Sequence, residues 1–343
     1  MSCVRHLAAR NISVPYQHRR IPPGHNLKRK RLLPMQSQDI TRSPGTHALF
    51  MVFGVNKGKM AAEQVRDFCA DFAVIPKSMR GRFPDQEVSC IMAFGAEAWK
   101  RLFPKCSRPK ELEPFTAIKG KKYTAPSTPG DLLFHIRSKR LDVCQEMAAI
   151  IANALREAVT CIDEVQGFRY FDGRAIVGFV DGTENPDPAD EFASATVGDE
   201  DSEFKGGSYI FVQKYLHDMK AWNALPIEEQ EKAIGRRKFN DIELSDEEKP
   251  ENAHNAVTNI SDENGNELKI VRRNLPFANP ARNEFGTYFI GYANTFTTTR
   301  KMLENMYIGE PEGNTDRLLD FSTAVTGTLF FAPTLDMLED LAK

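Results

Sequence analysis

The chain has 343 residues, 41% of them hydrophobic and 27% charged, with a formal net charge of −2. That balance belongs to a globular protein with room to bury a sizeable cofactor in one large or two ordinary domains, and it gives no reason for nucleic acid as a partner. No apolar run is long enough to cross a bilayer, so no membrane partner is expected, and six scattered cysteines without a Cys-x-x-Cys pair argue against a disulfide framework or a zinc site and for a reducing, cytoplasmic setting.

Residues 1–34 hold Arg5, Arg10, Arg19, Arg20, Lys28, Arg29, Lys30 and Arg31, with neither Asp nor Glu and no apolar core of a secretory signal. A disordered basic tail, an organellar transit peptide and upstream codons translated before a true start at Met35 all fit. Residues 1–45 are therefore set apart as a basic extension, and globular patterning begins near Thr46.

From His47 the pattern alternates between strand and helix periods. His47–Gly54 reads as a buried strand, Met60–Phe72 as an amphipathic helix, Glu87–Gly95 as a strand, and Ala96–Leu102 as the start of a short helix. Asp131–Arg137 is again a strand. Asp142–Val159 is a helix with Met147, Ile150, Ile151, Ala154 and Leu155 on one face, and Cys161–Tyr170 a returning strand. The second half repeats the outline, with strands at Gly207–Gln213, Glu267–Arg272, Gly286–Tyr292 and Val325–Phe331 and helices near 217–223, 227–235 and 297–306. The expected fold is α+β: two ferredoxin-like halves, 46–172 and 173–343, each an antiparallel sheet covered by helices. Asp199–Phe204 and Glu243–Glu251 read as acidic surface loops.

Two clusters could carry chemistry. Asp181 follows the apolar run Ala175–Val180, expected as a strand, and stands with Glu184, Asn185 and Asp187 in a turn rich in Gly, Asn and Pro. Such an Asp often only bonds its own backbone, but a carboxylate at the edge of a core is also a candidate acid or base. Farther on come His254 and then Arg272 and Arg273, at the end of a strand before Pro276. His47 and His135 fall in strand patterns and His217 opens a predicted helix, whereas His254 has no such structural explanation. The arginine pair reads equally as a salt bridge or a solvated edge.

Gly178–Pro186 resembles the Gly-x-x-Asp-Gly signature of dye-decolorizing peroxidases, in the form Phe-Val-Asp-Gly-Thr-Glu-Asn-Pro. The resemblance, to the shorter bacterial-type group, runs from about Thr46 to the C-terminus. It includes Gly-Gly-Ser-Tyr at 206–209, Ile-Gly-Arg at 234–236, the downstream His254, Arg-x-Asn-x-Pro-Phe at 272–277 and Val-Thr-Gly-Thr-Leu-Phe-Phe-Ala-Pro at 325–333. It implies two ferredoxin-like halves with one non-covalent haem b in the C-terminal half; the absence of Cys-x-x-Cys-His agrees with non-covalent attachment. Residue by residue, it makes His254 the proximal iron ligand, Asp181 the distal acid/base, Arg272 the distal cation and Asn274 part of the distal hydrogen bonding. Arg236 matches a position that meets a haem propionate. Asp316, or as its rival Glu243, would accept the proximal imidazole proton. Glu184, Glu267 and Asn274 match positions discussed for Mn²⁺ use.

The implied activity is reduction of hydrogen peroxide to water through a ferryl haem, with dyes, phenols or other one-electron donors oxidised. Trp99, Trp222, Tyr209, Tyr288 and Tyr292 are candidate electron relays. A homo-oligomer, dimer or larger, is expected. Packaging in a shell compartment is not, because the chain stops soon after its last predicted helix. A haem-handling protein without turnover is the alternative, and the charged pair Asp181 and Arg272 is what separates the two.

Overall fold

The computed structural model describes residues 36–43 and 45–343; the basic segment 1–34 lies outside the described residues. In chain order the first half comprises β1 (His47–Val55), α1 (Lys59–Asp71), α2 (Val74–Arg82), β2 (Ser89–Gly95), α3 (Ala96–Leu102), a small hairpin β3 (Ile118–Lys119) and β4 (Thr124–Ala125), β5 (Leu132–Ser138), α4 (Leu141–Leu155) and β6 (Val159–Phe168). The second half comprises α5 (Glu191–Ala195), β7 (Ser208–His217), α6 (Met219–Ala224), α7 (Ile227–Ile234), α8 (His254–Thr258), a hairpin β8 (Ile260–Ser261) and β9 (Glu267–Leu268), and β10 (Val271–Arg272). It continues with β11 (Leu275–Asn279), β12 (Glu284–Ala293), α9 (Phe296–Tyr307), β13 (Ser322–Ala324), β14 (Thr328–Ala332) and α10 (Leu335–Leu341).

The two halves have the same topology. The strand orders are β6-β1-β5-β2 and β14-β7-β12-β10, which in each half is fourth, first, third, second, the order of a ferredoxin-like sheet. Edge strands β2 and β14 pair antiparallel, Phe331 opposite Phe94 and Phe330 opposite Gly95, so the halves form one sheet. Phe50 on β1 and Tyr288 on β12 lie five strands apart in that order, about 24 Å in a flat sheet. Their rings nevertheless stack at 4.1 Å, so the sheet folds back and the halves face each other.

Strand alternation decides what goes where. Tyr288, Ile290 and Tyr292 of β12 point into the core between the half-sheets with Phe50, Ile91, Leu133, Ile210 and Phe330, while Thr287 and Phe289 point outward. Burying each large side chain there contributes about 1.5–3 kcal/mol. Helices cover the outer faces. On α4 the buried stripe is Val143, Cys144, Met147, Ala148, Ile151 and Leu155; Ile150 and Ala154, expected on that face, fall on the solvent side because 100° per residue carries them past it.

Several expectations need correction. Ala175–Val180 is not a strand: positive φ at Gly173 (108°) and Gly178 (96°) folds it into successive turns, with Ala175 N donating to Phe179 O at 2.8 Å. Glu267–Arg272 divides between the β9 hairpin and β10. His217 ends β7 instead of opening a helix; Asp218 caps α6 by accepting from Ala221 N at 2.9 Å. Asp199–Phe204 forms tight turns with both Asp201 and Phe204 buried, the carboxylate accepting from Lys110 N. Residues 36–43 are not part of a loose extension. Gln38 is buried, takes Met92 N and donates to the carbonyls of Met92 and Pro333, and so fastens the β2–β14 seam.

Candidate active site

The outward faces of β7 and β12, helix α9 and the turns before Glu184 enclose a cavity with about 1250 Å³ of empty space, mouth included. Ile234, Ile270, Phe289, Met302, Leu303 and Met306 supply apolar walls. Asp181, Arg236, His254, Arg272 and Asn274 all reach the same cavity, although they come from separate loops and strands.

His254 is the first residue of the short helix α8. Its Nδ1 lies 2.7 Å from Asp316 Oδ2. A carboxylate only accepts, so Nδ1 carries a proton; in the neutral imidazole Nε2 then keeps the lone pair, and it has no partner among the described residues. Asp316 is itself fixed: it is fully buried, its Oδ1 accepts from Leu318 N at 2.8 Å, and its own N–H bonds Met306 O. Burial opposes a charged imidazole, but the charge and hydrogen bond of Asp316 outweigh it and raise the His254 pKa above the ordinary value. Glu243, the rival partner, instead accepts from Asn255 Nδ2 and Lys249 Nζ.

Asp181 is partly buried, and its removal from water raises its carboxyl pKa above the usual range; Arg272 and a hydrogen bond from Asn274 pull the other way and lose. Asn274 Oδ1 accepts from Ile290 N at 3.0 Å, which leaves its Nδ2 to donate to Asp181. Arg272 is drawn down by burial and supported by Asp181, yet a guanidinium stays charged at any working pH. Its Nε is buried without a partner among the described residues. Arg273 is neither solvated nor in the cavity; it is buried and paired with Glu191 at 2.8 Å.

Arg236 is engaged more fully than a lone anion-binding residue. Its Nη1 lies 2.9 Å from Glu184 and 3.4 Å from Glu243, and its Nε 3.0 Å from Asp241. Glu184 is thus tied to Arg236, and Glu267 pairs with Lys269. Among the described residues no group of three or more His, Cys, Asp or Glu is placed to hold a metal ion.

Two family models cover nearly all of this region: Dyp-type peroxidase, N-terminal, matches residues 37–169, and Dyp-type peroxidase, C-terminal, matches residues 172–337. The chain belongs to the Dyp-type peroxidase family. It is a peroxidase, 52% identical over 307 residues to a dye-decolorizing peroxidase of Mycolicibacterium paratuberculosis, a match spanning 90% of this chain and 86% of the relative. The crystal structure of a dye-decolorizing peroxidase from Bacteroides thetaiotaomicron superposes with a TM-score of 0.88 at 59% identity, covering 90% of this chain and 99% of that one. DyPB from Rhodococcus jostii gives 0.86 at 47%, covering 88% and 97%. Variants of the Rhodococcus protein have been solved in complex with heme.

Set in a Dyp-type peroxidase, two further residues acquire significance. Asn185, read from sequence only as part of a turn, bonds both backbone groups of Arg272. His217 lines the cavity with its Nδ1 on Ser322 and Nε2 on Thr287, and burial holds its pKa down to about 4, so it is neutral. No periodicity could have pointed to either, since both act through partners remote in sequence. The five candidate relays Trp99, Trp222, Tyr209, Tyr288 and Tyr292 are all buried, at 3% exposure or less, so none can meet a bulky donor directly.

Proposed function

We propose that the cavity holds one non-covalent haem b, that His254 Nε2 would ligate its iron, and that Asp181 and Arg272 would act on hydrogen peroxide. The residues suit that group. An imidazole with a carboxylate on Nδ1 and a free Nε2 is the donor arrangement of a haem ligand, the walls are apolar, and the buried, unpartnered Arg272 Nε is a donor awaiting an acceptor. Arg236, whose Nη2 has no partner among the described residues, would meet a propionate from within its carboxylate cluster.

Bound there, haem would supply the two electrons that reduce peroxide, and one-electron donors would later replace them. The chain's own residues manage protons and charge. Asp181 takes the proton from the near oxygen of peroxide and returns it to the oxygen that leaves as water. Arg272 stabilises the negative charge that develops as the O–O bond breaks. Asn274, anchored by Ile290 N, orients the Asp181 carboxylate. Asp316 holds the His254 proton on Nδ1 and makes the imidazole a stronger donor.

The single observation that carries this reading is the 2.7 Å His254–Asp316 bond in a cavity that Asp181 and Arg272 also line. A haem store needs only the ligand; the charged pair suits turnover. The experiment is the ultraviolet–visible spectrum of wild type and His254→Ala reconstituted with haem, followed by peroxide. A Soret band that responds to peroxide in wild type and is lost or shifted in His254→Ala is expected; an identical spectrum in the variant would remove His254 as the ligand.

A further inference from the structure

Strand β10 ends the strand order: Val271 and Arg272 pair with Tyr292 and Gly291 of β12, and among the described residues no strand lies on the other side. The N–H and C=O of Arg272 face that open side, where an edge would ordinarily be wet or available to another chain. Here a side chain takes the place of the missing strand. Asn185 Oδ1 accepts from Arg272 N at 2.8 Å, and Asn185 Nδ2 donates to the Arg272 carbonyl at 3.0 Å. A carboxamide offers one donor and one acceptor as a peptide group does, so the pair reproduces one rung of a β-ladder between positions 87 apart in the chain.

The other end of the clasp is equally constrained. Asn185 N donates to Gly182 O at 3.0 Å, closing the turn that begins immediately after Asp181, and Asp181 N donates to Gly173 O at 3.0 Å. Gly182 has φ +88°, and a Cβ on it would stand 3.3 Å from Asn185 Nδ2, so the amide lies directly over the glycine. Asp181 and Arg272 thus belong to two segments with no backbone bond between them at this point, and the Asn185 amide bridges them.

We propose that Asn185 is a positioning residue that fixes the separation of the Asp181 carboxylate from the Arg272 guanidinium. It deepens the function proposed above and rests on the reading that this pair works together on a small ligand at the open face of the haem. Leu in its place keeps the volume and leaves two backbone groups of Arg272 unpaired. Asp keeps the acceptor, and it regains a donor only when its carboxyl is protonated.

The test uses the ferric holoprotein and fluoride, a small anion that binds at the open iron face and takes a hydrogen bond from a nearby cation, read by titration of the absorption spectrum. Asn185→Leu is expected to weaken fluoride binding about tenfold, a loss of about 1.4 kcal/mol, with the ligand-free Soret band unchanged. The ratio of Asn185→Asp to Asn185→Leu affinity is expected to rise as pH falls. Should Asn185→Leu not fold with haem, Asn185→Ser, which keeps a shorter polar group, reads the same quantity. Arg272→Leu is the control that separates the two ideas. Weakened fluoride binding in Arg272→Leu but wild-type affinity in the Asn185 variants would overturn the clasp; wild-type affinity in Arg272→Leu would overturn the underlying reading of the pair.

Discussion

His254 Nδ1 lies 2.7 Å from the carboxylate of Asp316, which is fully buried and has its second oxygen occupied by Leu318 N. The carboxylate has no solvent to relax into, so it holds a proton on Nδ1 and the imidazole in one orientation. Replacing Asp316 with Asn should lower haem affinity or peroxide reactivity about 10–100-fold, the usual effect of losing such a partner. Haem titration and rapid mixing with peroxide measure it. Wild-type values for both would remove Asp316 from the site.

Arg272 and Asp181 should not contribute equally. Charge stabilisation commonly exceeds proton transfer, so Arg272→Leu should slow the spectral change that follows peroxide addition by about 10²–10³-fold, and Asp181→Asn by less. Stopped-flow absorption on the two variants decides it, and the reverse ranking would sink the claim.

The pH dependence of that step follows from the environment of Asp181. Burial raises its pKa above the ordinary value of about 3.9 despite the opposing Arg272. As a base it works when deprotonated, so the rate should fall on the acid side through a midpoint above about 3.9 and level off before neutrality. Asp181→Asn should abolish the acid limb. A wild-type rate still climbing steadily through neutrality would exclude Asp181 as the base.

His217 gives a prediction about stability. Its folded pKa of about 4 lies below the unfolded value of about 6.5, so the unfolded chain takes up a proton first as pH falls. The stability due to neutral His217 is complete above about pH 6.5 and is lost progressively down to about pH 4, a change of about 3 kcal/mol. Denaturant melts of wild type and His217→Asn across that window should differ in slope; parallel curves would show that His217 is accessible to protons in the fold.

Gln38 makes three hydrogen bonds across the β2–β14 seam, at 2.7–2.8 Å, from a buried position. Gln38→Ala should cost about 2–4 kcal/mol, since it leaves buried backbone groups of Met92 and Pro333 without partners. Truncation before Thr46 should destabilise by at least as much. An unaltered midpoint in denaturant would show that water replaces the clasp without penalty.

Much of the fold was legible because strand and helix periods are local. The eight long segments from His47 to Tyr292 lie within a few residues of where their alternation put them. The failures have local causes as well. Ala175–Val180 is apolar enough for a strand, but two glycines at positive φ turn it into a wall of the cavity. Asp201 and Phe204 were hidden in an acidic run whose charge suggested solvent.

The site was legible in its residue types and not in its assembly. The resemblance to the family named Asp181, Arg236, His254, Arg272 and Asn274, where spacing alone had offered only Asp181 and His254 as candidates, and the family models agree with the family that the resemblance suggested. Sequence left Asp316 and Glu243 as rivals, because both carboxylates lie within reach of His254 along some path of the chain. Only the fold chose Asp316 as the hydrogen-bond partner, since it buries that residue beneath α8 and commits Glu243 to Asn255 and Lys249. The sequence by itself determined the ferredoxin-like halves and the chemical groups available. Which groups meet was decided by tertiary structure, because burial, hydrogen-bond pairing and the shift of a pKa depend on neighbours brought from tens of residues away.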